Sequence, residues 1–211
     1  MITAHGGAMN TKQNGVEYFE AMEAYPIDAI EVDVRRKGGE LVLLHSPSFS
    51  KKGLLKVEYA LEYCLKHNIM VNIDLKTKGL LKQFAAIAKK MNAEHCVYIT
   101  GAIRPKDIPH LGNMKVYLNS SFFGKKLFVR AANLEKAKRF MESFNSPAIL
   151  GLNVNHLFVN DEFLQKAKEL GVALSVYTVD SKEQLERFTA YNPANITTNN
   201  VKDALALRGN K

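Results

Sequence analysis

Short apolar runs alternate along this chain with stretches in which apolar residues recur every three to four positions. Runs of the first kind are typical of buried strands, and the longer periodic stretches are typical of amphipathic helices. The pattern predicts eight strands, which are Ile2–Ala4, Ala29–Val34, Met70–Leu75, Cys96–Ile99, Lys115–Leu118, Ala148–Val154, Val172–Val179 and Asn195–Thr198.

The periodic stretches predict helices between these strands, except around Pro105–Gly112, where the connection is too short for more than one helical turn. Ser181 and Gln184 have the spacing of a capping box, which predicts a helix that begins after Ser181. The apolar stripes of the predicted helices are Val57, Leu61, Cys64 and Leu65; Leu80, Phe84, Ile87 and Met91; Leu134, Ala137, Met141 and Phe144; Phe163, Ala167 and Leu170; Leu185 and Phe188; and Val201 and Leu205.

Regular alternation of eight strands with helices predicts an α/β fold, a (β/α)8 TIM barrel in one domain that spans residues 1–211. An open doubly wound sheet has the same alternation and is the alternative. In a barrel, functional polar residues cluster where the strands end. Seven of the eight predicted strands have polar residues at or near their carboxyl ends. In chain order these residues are His5; Glu31 and Asp33; Asn72, Asp74 and Lys76; Asn119; Asn153 and Asn155; Tyr177 and Thr178; and Asn199.

The stretch from Ala29 to His45 carries the densest chemistry. Glu31 and Asp33 are two residues apart in an otherwise apolar run, so an extended backbone directs both carboxylates to one face. A turn signal at Lys37–Glu40 and a second apolar run then predict a hairpin that brings His45 back toward the two acids.

Three carboxylates on neighbouring strands, those of Glu31, Asp33 and Asp74, repel one another unless a cation lies between them. Oxygen ligands without cysteine favour Mg²⁺ or Ca²⁺. The alternative is an ion-pair network with Lys76, Arg35 and Arg36. His5 and His45 can give or take a proton near neutral pH, so they are candidates for a catalytic base and acid. Lys76 is a candidate phosphate ligand.

Composition narrows the functional class only modestly. The 211 residues are 46% hydrophobic and 24% charged, which is typical of a globular protein. A net charge of +8 attracts anions of any kind. The basic pairs Lys51–Lys52 and Lys125–Lys126 lack interleaved aromatic residues, so we interpret them as solvated surface and expect no nucleic acid partner. His67, His95, His110 and His156 are interpreted as structural or solvated.

Cellular location follows weakly from the same data. No run approaches the length of a membrane span and no leader precedes the first motif, so we expect a soluble, cytoplasmic protein; a leader already removed is the alternative. Cys64 and Cys96 are expected to be buried thiols, which favours a reducing compartment. The oligomeric state is left open.

Several short motifs, distributed along the whole chain, are similar to the motifs of a known protein family. They are His5-Gly6-Gly7, Gln13-Asn14-Gly15, Glu31-Val32-Asp33-Val34, His45-Ser46, Ile73-Asp74-Leu75-Lys76, Tyr177-Thr178-Val179-Asp180 and Ile196-Thr197-Thr198-Asn199. In this combination the chain resembles the glycerophosphodiester phosphodiesterase family, whose members are (β/α)8 barrels that hydrolyse phosphodiesters with a divalent metal. The chain departs from the family pattern at Gly6, Gln13 and Ser46, where the family has arginine, glutamate and aspartate. We also expect the segment that caps the site in the family to be absent here, because Ser50 to Leu55 leads almost directly into a predicted helix.

The resemblance implies a metal held by Glu31, Asp33 and Asp74, acid-base catalysis by His5 and His45, and a small phosphodiester substrate. We expect Lys76, Gly6, Asn119, Asn153 and Tyr177 to surround that substrate. Two alternatives are a weakened barrel that only binds a phosphorylated ligand, and a lyase that stops at a cyclic phosphate. The sequence does not identify the alcohol that is released.

Overall fold

The computed structural model describes residues 1–47, 53–124 and 130–209. Within these ranges nine strands are formed, namely β1 (Ile2–Ala4), β2 (Ala29–Lys37), β3 (Glu40–Leu43), β4 (Met70–Leu75), β5 (Val97–Gly101), β6 (Lys115–Asn119), β7 (Ile149–Asn155), β8 (Ala173–Tyr177) and β9 (Asn195–Thr198). The α-helices of the same ranges are α1 (Val16–Met22), α2 (Val57–His67), α3 (Leu81–Lys90), α4 (Leu134–Glu142), α5 (Asp161–Glu169), α6 (Lys182–Tyr191) and α7 (Val201–Gly209).

Eight of the strands form a closed parallel barrel. The order around the ring is β1, β9, β8, β7, β6, β5, β4 and β2, and the ring closes because β1 pairs with both β9 and β2. Strand β3 lies outside the ring and pairs antiparallel with the end of β2, from Val34–Leu43 to Lys37–Glu40. The (β/α)8 barrel is therefore confirmed, and the open doubly wound sheet is excluded.

Most of the predicted elements are present, with four differences. Helix α1 was not predicted, because seven residues hold too few apolar positions to show a period. The connection Pro105–His110 is a 3-10 helix of six residues, which is about two turns and longer than the single turn that was predicted. Cys96 ends a 3-10 turn before β5 and is not part of the strand. At Ser181 only half of a capping box forms, since its Oγ accepts from the Gln184 N–H at 3.2 Å while Gln184 Oε1 is buried with no hydrogen-bond partner among the described residues.

Alternation along the strands separates two environments. Ile30, Val32 and Ile73 point outward and are completely buried against the helices. The inward positions are largely polar: Thr3 Oγ1 lies 2.8 Å from the Tyr98 hydroxyl and donates to Asn195 Oδ1 at 2.7 Å. Because buried polar groups must be hydrogen-bonded, this network fixes the middle of the barrel and supports the polar site above it.

Both cysteines are buried thiols, as expected, and burial raises the pKa of each. None of the helices in the described ranges combines the length and hydrophobicity that a membrane span requires. The pairs Lys51–Lys52 and Lys125–Lys126 lie outside the described residues, as does part of the short segment before Leu55.

Candidate active site

The three acids converge because β2 and β4 are neighbours in register. Asp33 pairs with Asp74 across the two strands, and Glu31 pairs with Asn72 one step below. One carboxylate oxygen from each of Glu31, Asp33 and Asp74 lies within 4.8 Å of the other two. Glu31 and Asp33 are 3% and 0% exposed, so water does little to reduce their mutual repulsion.

Glu31 is held from behind by the loop that follows β1. The backbone N–H of Gly6 donates to Glu31 Oε2 at 2.7 Å. Burial, and then the charges of Asp33 and Asp74, raise the pKa of Glu31 well above its usual range. A cation beside this carboxylate favours its ionised form, because it offsets the burial and the two neighbouring charges.

Asp33 is held by a side chain of the same loop. Asn14 Nδ2 donates to Asp33 Oδ2 at 2.8 Å, and the Asp33 backbone N–H donates to Asn14 Oδ1 at 3.0 Å. Gln13 Nε2 makes a longer contact of 3.4 Å with the same Oδ2. The second oxygen, Asp33 Oδ1, is buried, and its partner is the ammonium group of Lys76.

Lys76 supplies the positive charge beside this oxygen. Its Nζ lies 2.6 Å from Asp33 Oδ1 and 2.5 Å from Asp74 Oδ2. Burial alone would lower the pKa of Lys76, but the charges of Asp74, Asp33 and Glu31 outweigh burial and raise it above the ordinary value. The lysine is therefore a fixed cation at neutral pH. These two ion pairs agree in part with the alternative in which the acids form an ion-pair network with Lys76, Arg35 and Arg36.

The two arginines of that alternative take no part in it. Arg35 Nε donates to the backbone carbonyl of His45 at 2.8 Å, and Arg36 Nε donates to Gln83 Oε1 at 2.9 Å. Both residues lie beyond Val34, where β2 leaves the barrel to pair with β3. Among the described residues one lysine thus faces three carboxylates, and these four side chains carry a net negative charge when all are ionised.

The acidic cluster fits a divalent cation. All three donors are carboxylate oxygens, which hard ions prefer, and within the described residues the ammonium of Lys76 is the one cation paired with them. Two oxygens bound to one ion lie at most about 4 Å apart for Mg²⁺ and about 5 Å apart for Ca²⁺. The three carboxylate oxygens lie within 4.8 Å of one another, a range that includes the spacing around either ion.

His5 follows β1 and faces Glu31, with its Nε2 at 4.0 Å from Glu31 Oε2. Its other nitrogen, Nδ1, lies 3.0 Å from Asn199 Oδ1. The amide of Asn199 is oriented by Asp180, which accepts from both the Asn199 N–H and Nδ2 at 2.8 Å. Because a carboxylate only accepts hydrogen bonds, Asn199 must direct its oxygen at His5, and Nδ1 of neutral His5 carries the proton.

His45 is brought back to the barrel by the β2–β3 hairpin. The Leu44 N–H donates to the Asp33 carbonyl at 2.8 Å, which anchors the returning chain beside the acids. The His45 side chain is exposed, and its Nδ1 lies 3.1 Å from Ser46 Oγ. His45 therefore stands at the rim of the mouth, while His5 stands inside it.

A cavity of about 440 Å³ joins these groups at the carboxyl ends of the strands. Gly6 and Asp33 do not line it, because Gly6 lies behind Glu31 and Asp33 lies beneath Lys76. A hollow of about 510 Å³ at the opposite end of the barrel, beside α4, brings together no such cluster. The residues that line the first cavity are His5, Glu31, His45, Asn72, Asp74, Leu75, Lys76, Thr100, Gly101, Ala102, Asn119, Ser121, Asn153, Asn155, Tyr177, Thr178 and Thr197.

Asn119, Asn153 and Tyr177 lie together on the far wall, on β6, β7 and β8. Asn153 Nδ2 donates to Asn119 Oδ1 at 3.3 Å, and Asn119 Nδ2 lies 3.5 Å from the Tyr177 hydroxyl. Burial raises the pKa of Tyr177, so its hydroxyl keeps its proton at neutral pH. Of the five residues expected to surround a substrate, four line the cavity and Gly6 does not.

Three residues of the site were not singled out as site residues from the sequence. Asn14 holds Asp33, Asp180 orients Asn199, and Gly101 makes room for Asp74. Gly101 has a φ of +88°, and a Cβ there would lie 2.1 Å from Asp74 Oδ1. A glycine two residues after the predicted strand Cys96–Ile99 was the available signal. His67, His95, His110 and His156 lie outside the cavity lining, as expected.

The fold is a TIM barrel. Carboxylates, a lysine and histidines lie at the carboxyl ends of its strands, which is where TIM-barrel enzymes have their active sites. Solved glycerophosphodiester phosphodiesterases share this fold over nearly the whole chain. The enzyme from Parabacteroides distasonis has a TM-score of 0.73 at 16% identity, covering 99% of this chain and 97% of its own. The enzyme from Thermotoga maritima has a TM-score of 0.72 at 14% identity, covering 98% and 96%.

A third structure adds a bound product. A phosphodiesterase from Oleispira antarctica, in complex with the product sn-glycerol-3-phosphate, has a TM-score of 0.74 at 13% identity, covering 99% of this chain and 96% of its own. At these identities the likeness establishes the shared fold. No protein-family model matches the chain, and no curated protein matches it.

Proposed function

We propose that this protein is a metal-dependent phosphodiesterase that hydrolyses a glycerophosphodiester-type substrate to an alcohol and a phosphomonoester. The observation that supports this most directly is the meeting of Glu31, Asp74, Lys76, His5 and His45 at one cavity. The barrel around that cavity is the one that solved glycerophosphodiester phosphodiesterases have. The glycerol phosphate product of the Oleispira antarctica enzyme supports the substrate class.

Glu31, Asp33 and Asp74 would hold the cation, Mg²⁺ or Ca²⁺. When bound, the cation supplies Lewis acidity to a phosphate oxygen and offsets the repulsion among the three carboxylates. Lys76 adds a second positive charge that is held in place before the substrate arrives, so it can stabilise charge that develops on the phosphoryl oxygens.

His5 is suited to accept a proton. Its Nδ1–H is fixed by Asn199, so Nε2 carries the lone pair and faces the cavity beside Glu31. In the proposed reaction Nε2 takes a proton from the attacking water, while the oxygen of that water forms the new bond to phosphorus. The base is therefore assigned to the inner histidine.

His45 is suited to donate a proton. It stands at the exposed rim, where an imidazolium is hydrated and a departing alcohol can leave. As the bond from phosphorus to the leaving oxygen breaks, the protonated His45 gives its proton to that oxygen. Proton exchange between His5, His45 and solvent then restores both imidazoles.

Hydrolysis of glycerophosphoglycerol in the presence of Mg²⁺ or Ca²⁺, with and without chelator, tests this proposal. We expect turnover that the chelator abolishes. His5→Ala and His45→Ala should each lower kcat by about two orders of magnitude or more, with circular dichroism unchanged. Turnover that persists with chelator, or in either variant at the level of the unmodified protein, would contradict the proposal.

Two other outcomes correspond to the alternatives. Lys76 already offsets two of the acids, and the arginine of the family pattern is absent at Gly6, which favours a barrel that binds a phosphorylated ligand without cleaving it. A ligand-dependent rise in melting temperature without turnover would indicate that function. A lyase would release a cyclic phosphate, which phosphorus NMR distinguishes from a monoester. The cytoplasmic location stays a prediction.

A further inference from the structure

The positive charge of this chain is concentrated in one segment. Residues 75–115 contain eight lysine and arginine residues and two acidic residues, whereas the rest of the chain contains 21 basic and 19 acidic residues. The segment runs from the end of β4 to the start of β6 and includes α3 and the 3-10 helix Pro105–His110. Most of the net charge of +8 therefore belongs to one side of the barrel.

Helix α3 lies at the centre of this charge. It contains Lys82, Lys89 and Lys90 and no acidic residue, whereas each of the other described α-helices contains at least one. With 3.6 residues per turn, the three lysines share the face of the helix that lies away from the buried Leu81 and Phe84. All three lysines are exposed.

Three more cations from neighbouring elements extend this face. Arg36, in the β2–β3 hairpin, donates from Nε to Gln83 Oε1 at 2.9 Å, which joins the hairpin to α3. Lys78 lies in the loop before α3, and Lys106 lies in the 3-10 helix that packs against α3. All three are exposed. We call the whole group the basic face, and its members are Arg36, Lys78, Lys82, Lys89, Lys90 and Lys106.

The basic face differs from the other helices in how its charges are balanced. In α4 Arg139 pairs with Glu135, and in α5 Lys166 pairs with Glu169, as residues three or four apart on a helix do. No described carboxylate forms an ion pair with a cation of the basic face. These charges are therefore available to a negatively charged partner.

The arrangement of the basic face fits an anionic lipid surface. Its cations lie on a hairpin, a helix and a 3-10 helix, so they cover an area, which matches a membrane plane better than a single polymer strand. None of the exposed large apolar side chains of the described residues lies on it, so it lacks the aromatic rings on which nucleic acid bases stack. Lysine-rich surfaces attract the negative headgroups of acidic phospholipids.

We propose that the basic face binds the surface of an anionic phospholipid membrane, in a peripheral contact without insertion. The face borders the mouth of the cavity, because Lys78 comes two positions after Lys76, which lines the cavity. Bound in this way, the mouth lies beside the lipid headgroups. The inference goes beyond the proposed function and does not depend on it, because none of the six cations lines the cavity.

Flotation of the protein with lipid vesicles tests this inference. One set of vesicles contains phosphatidylcholine alone, and the other contains an equal mixture of phosphatidylcholine and the anionic lipid phosphatidylglycerol. We expect binding to the mixed vesicles at low ionic strength and no binding to phosphatidylcholine alone. Salt at about 1 M should release the protein, because exposed charges are then screened beyond about 3 Å.

Two double variants separate the basic face from net charge. Lys82→Glu combined with Lys89→Glu should lower the affinity for mixed vesicles about 20-fold or more, since each cation beside an anionic surface contributes about fivefold. Lys136→Glu combined with Lys168→Glu is the matched control, because it changes the net charge equally on α4 and α5. The control should lose much less affinity. Both variants should keep the melting temperature, since all four side chains are exposed.

Equal binding to the two kinds of vesicle, no binding to either, or equal losses in the two double variants would overturn the inference. Binding to polyphosphate but not to the mixed vesicles would also overturn it and would indicate a linear polyanion as the partner. These results are separate from the proposed function, because hydrolysis of a water-soluble phosphodiester should be the same in both double variants.

Discussion

Asn199 Oδ1 lies 3.0 Å from His5 Nδ1, on an amide whose nitrogen is bound to Asp180. The relationship joins the end of β9 to the end of β1, which are neighbours in the barrel although 194 residues separate them. It fixes the tautomer of His5, because Asp180 prevents the amide from turning its nitrogen toward the imidazole.

Asn199→Ala should therefore slow proton transfer to His5, because the imidazole is still present but its tautomer is no longer fixed. We expect kcat to fall by about 10- to 100-fold, with a smaller change in KM, because partners that orient a reactive side chain have effects of this size. Asn113→Ala is the control, since Asn113 is exposed between β5 and β6. The ¹⁵N signals of the His5 ring report the tautomer directly. A single Nδ1–H tautomer in Asn199→Ala, with unchanged kcat, would contradict the assignment.

Lys76→Met tests how the acidic cluster is neutralised. In the unmodified protein the ammonium contacts Asp33 and Asp74, so removing it leaves buried carboxylates without a counter-charge. Breaking a buried ion pair in this way costs about 3 kcal/mol or more in the free energy of unfolding. We expect a lower melting temperature in chelator, and a larger rise on adding Ca²⁺ than the unmodified protein shows.

The control for this prediction is Lys56→Met, which removes an exposed lysine paired with Glu40 and should leave the Ca²⁺-induced shift unchanged. The measurement is differential scanning fluorimetry with and without Ca²⁺. An equal Ca²⁺-induced shift in Lys76→Met and in the unmodified protein would show that Lys76 does not compete with the ion for the carboxylates.

Gly101→Ala tests the space on which Asp74 depends. The residue has a φ of +88°, and an added Cβ would lie 2.1 Å from Asp74 Oδ1 and 2.5 Å from the Leu75 carbonyl oxygen. Either the strand end or the carboxylate must move, so we expect a loss of several kcal/mol in unfolding free energy together with weaker Ca²⁺ binding.

Gly171→Ala separates backbone strain from this crowding. Its φ is +63°, and a Cβ there would meet nothing within 4 Å. It should cost only about 1 kcal/mol, the usual penalty of a left-handed alanine. Denaturant unfolding measures both variants. Similar losses in the two would show that crowding against Asp74 contributes little.

The sequence predicts the barrel well because its strands and helices differ in hydrophobic period. It also places Glu31, Asp33 and Asp74 on the correct strands, and the register of β2 with β4 then brings them together. Residues that act by supporting another are harder to find. Asn14 holds Asp33 from a loop with no periodic pattern, and its left-handed φ of 55° is a property of the folded chain.

Gly6 is a residue whose predicted place at the substrate differs from its place in the structure. From the sequence it was expected at the substrate, because the family pattern has an arginine there. In the structure its N–H binds Glu31, and no side chain reaches the cavity from this position. Which direction a loop residue faces depends on hydrogen bonds that form only in the folded barrel, such as the one from the Asn14 N–H to the Gly6 carbonyl.

Gly6→Arg asks whether the arginine of the family pattern can be restored. A Cβ at position 6 would lie 3.0 Å from Glu31 Oε2 and 3.2 Å from Asn14 Oδ1, which is closer than ordinary contact. The added side chain therefore presses on Glu31 and on the residue that holds Asp33. We expect lower stability and weaker Ca²⁺ binding than in the unmodified protein, and no gain in kcat/KM.

Gly6→Ala isolates the first carbon of that side chain and should show a smaller loss of both quantities, because the neighbours need to move by only a few tenths of an ångström. Calorimetric titration with Ca²⁺ and thermal unfolding measure the two variants. If Gly6→Arg instead raised kcat/KM at unchanged stability, the loop after β1 would have to shift on substrate binding, and the packing of Gly6 against Glu31 would not be what excludes the arginine.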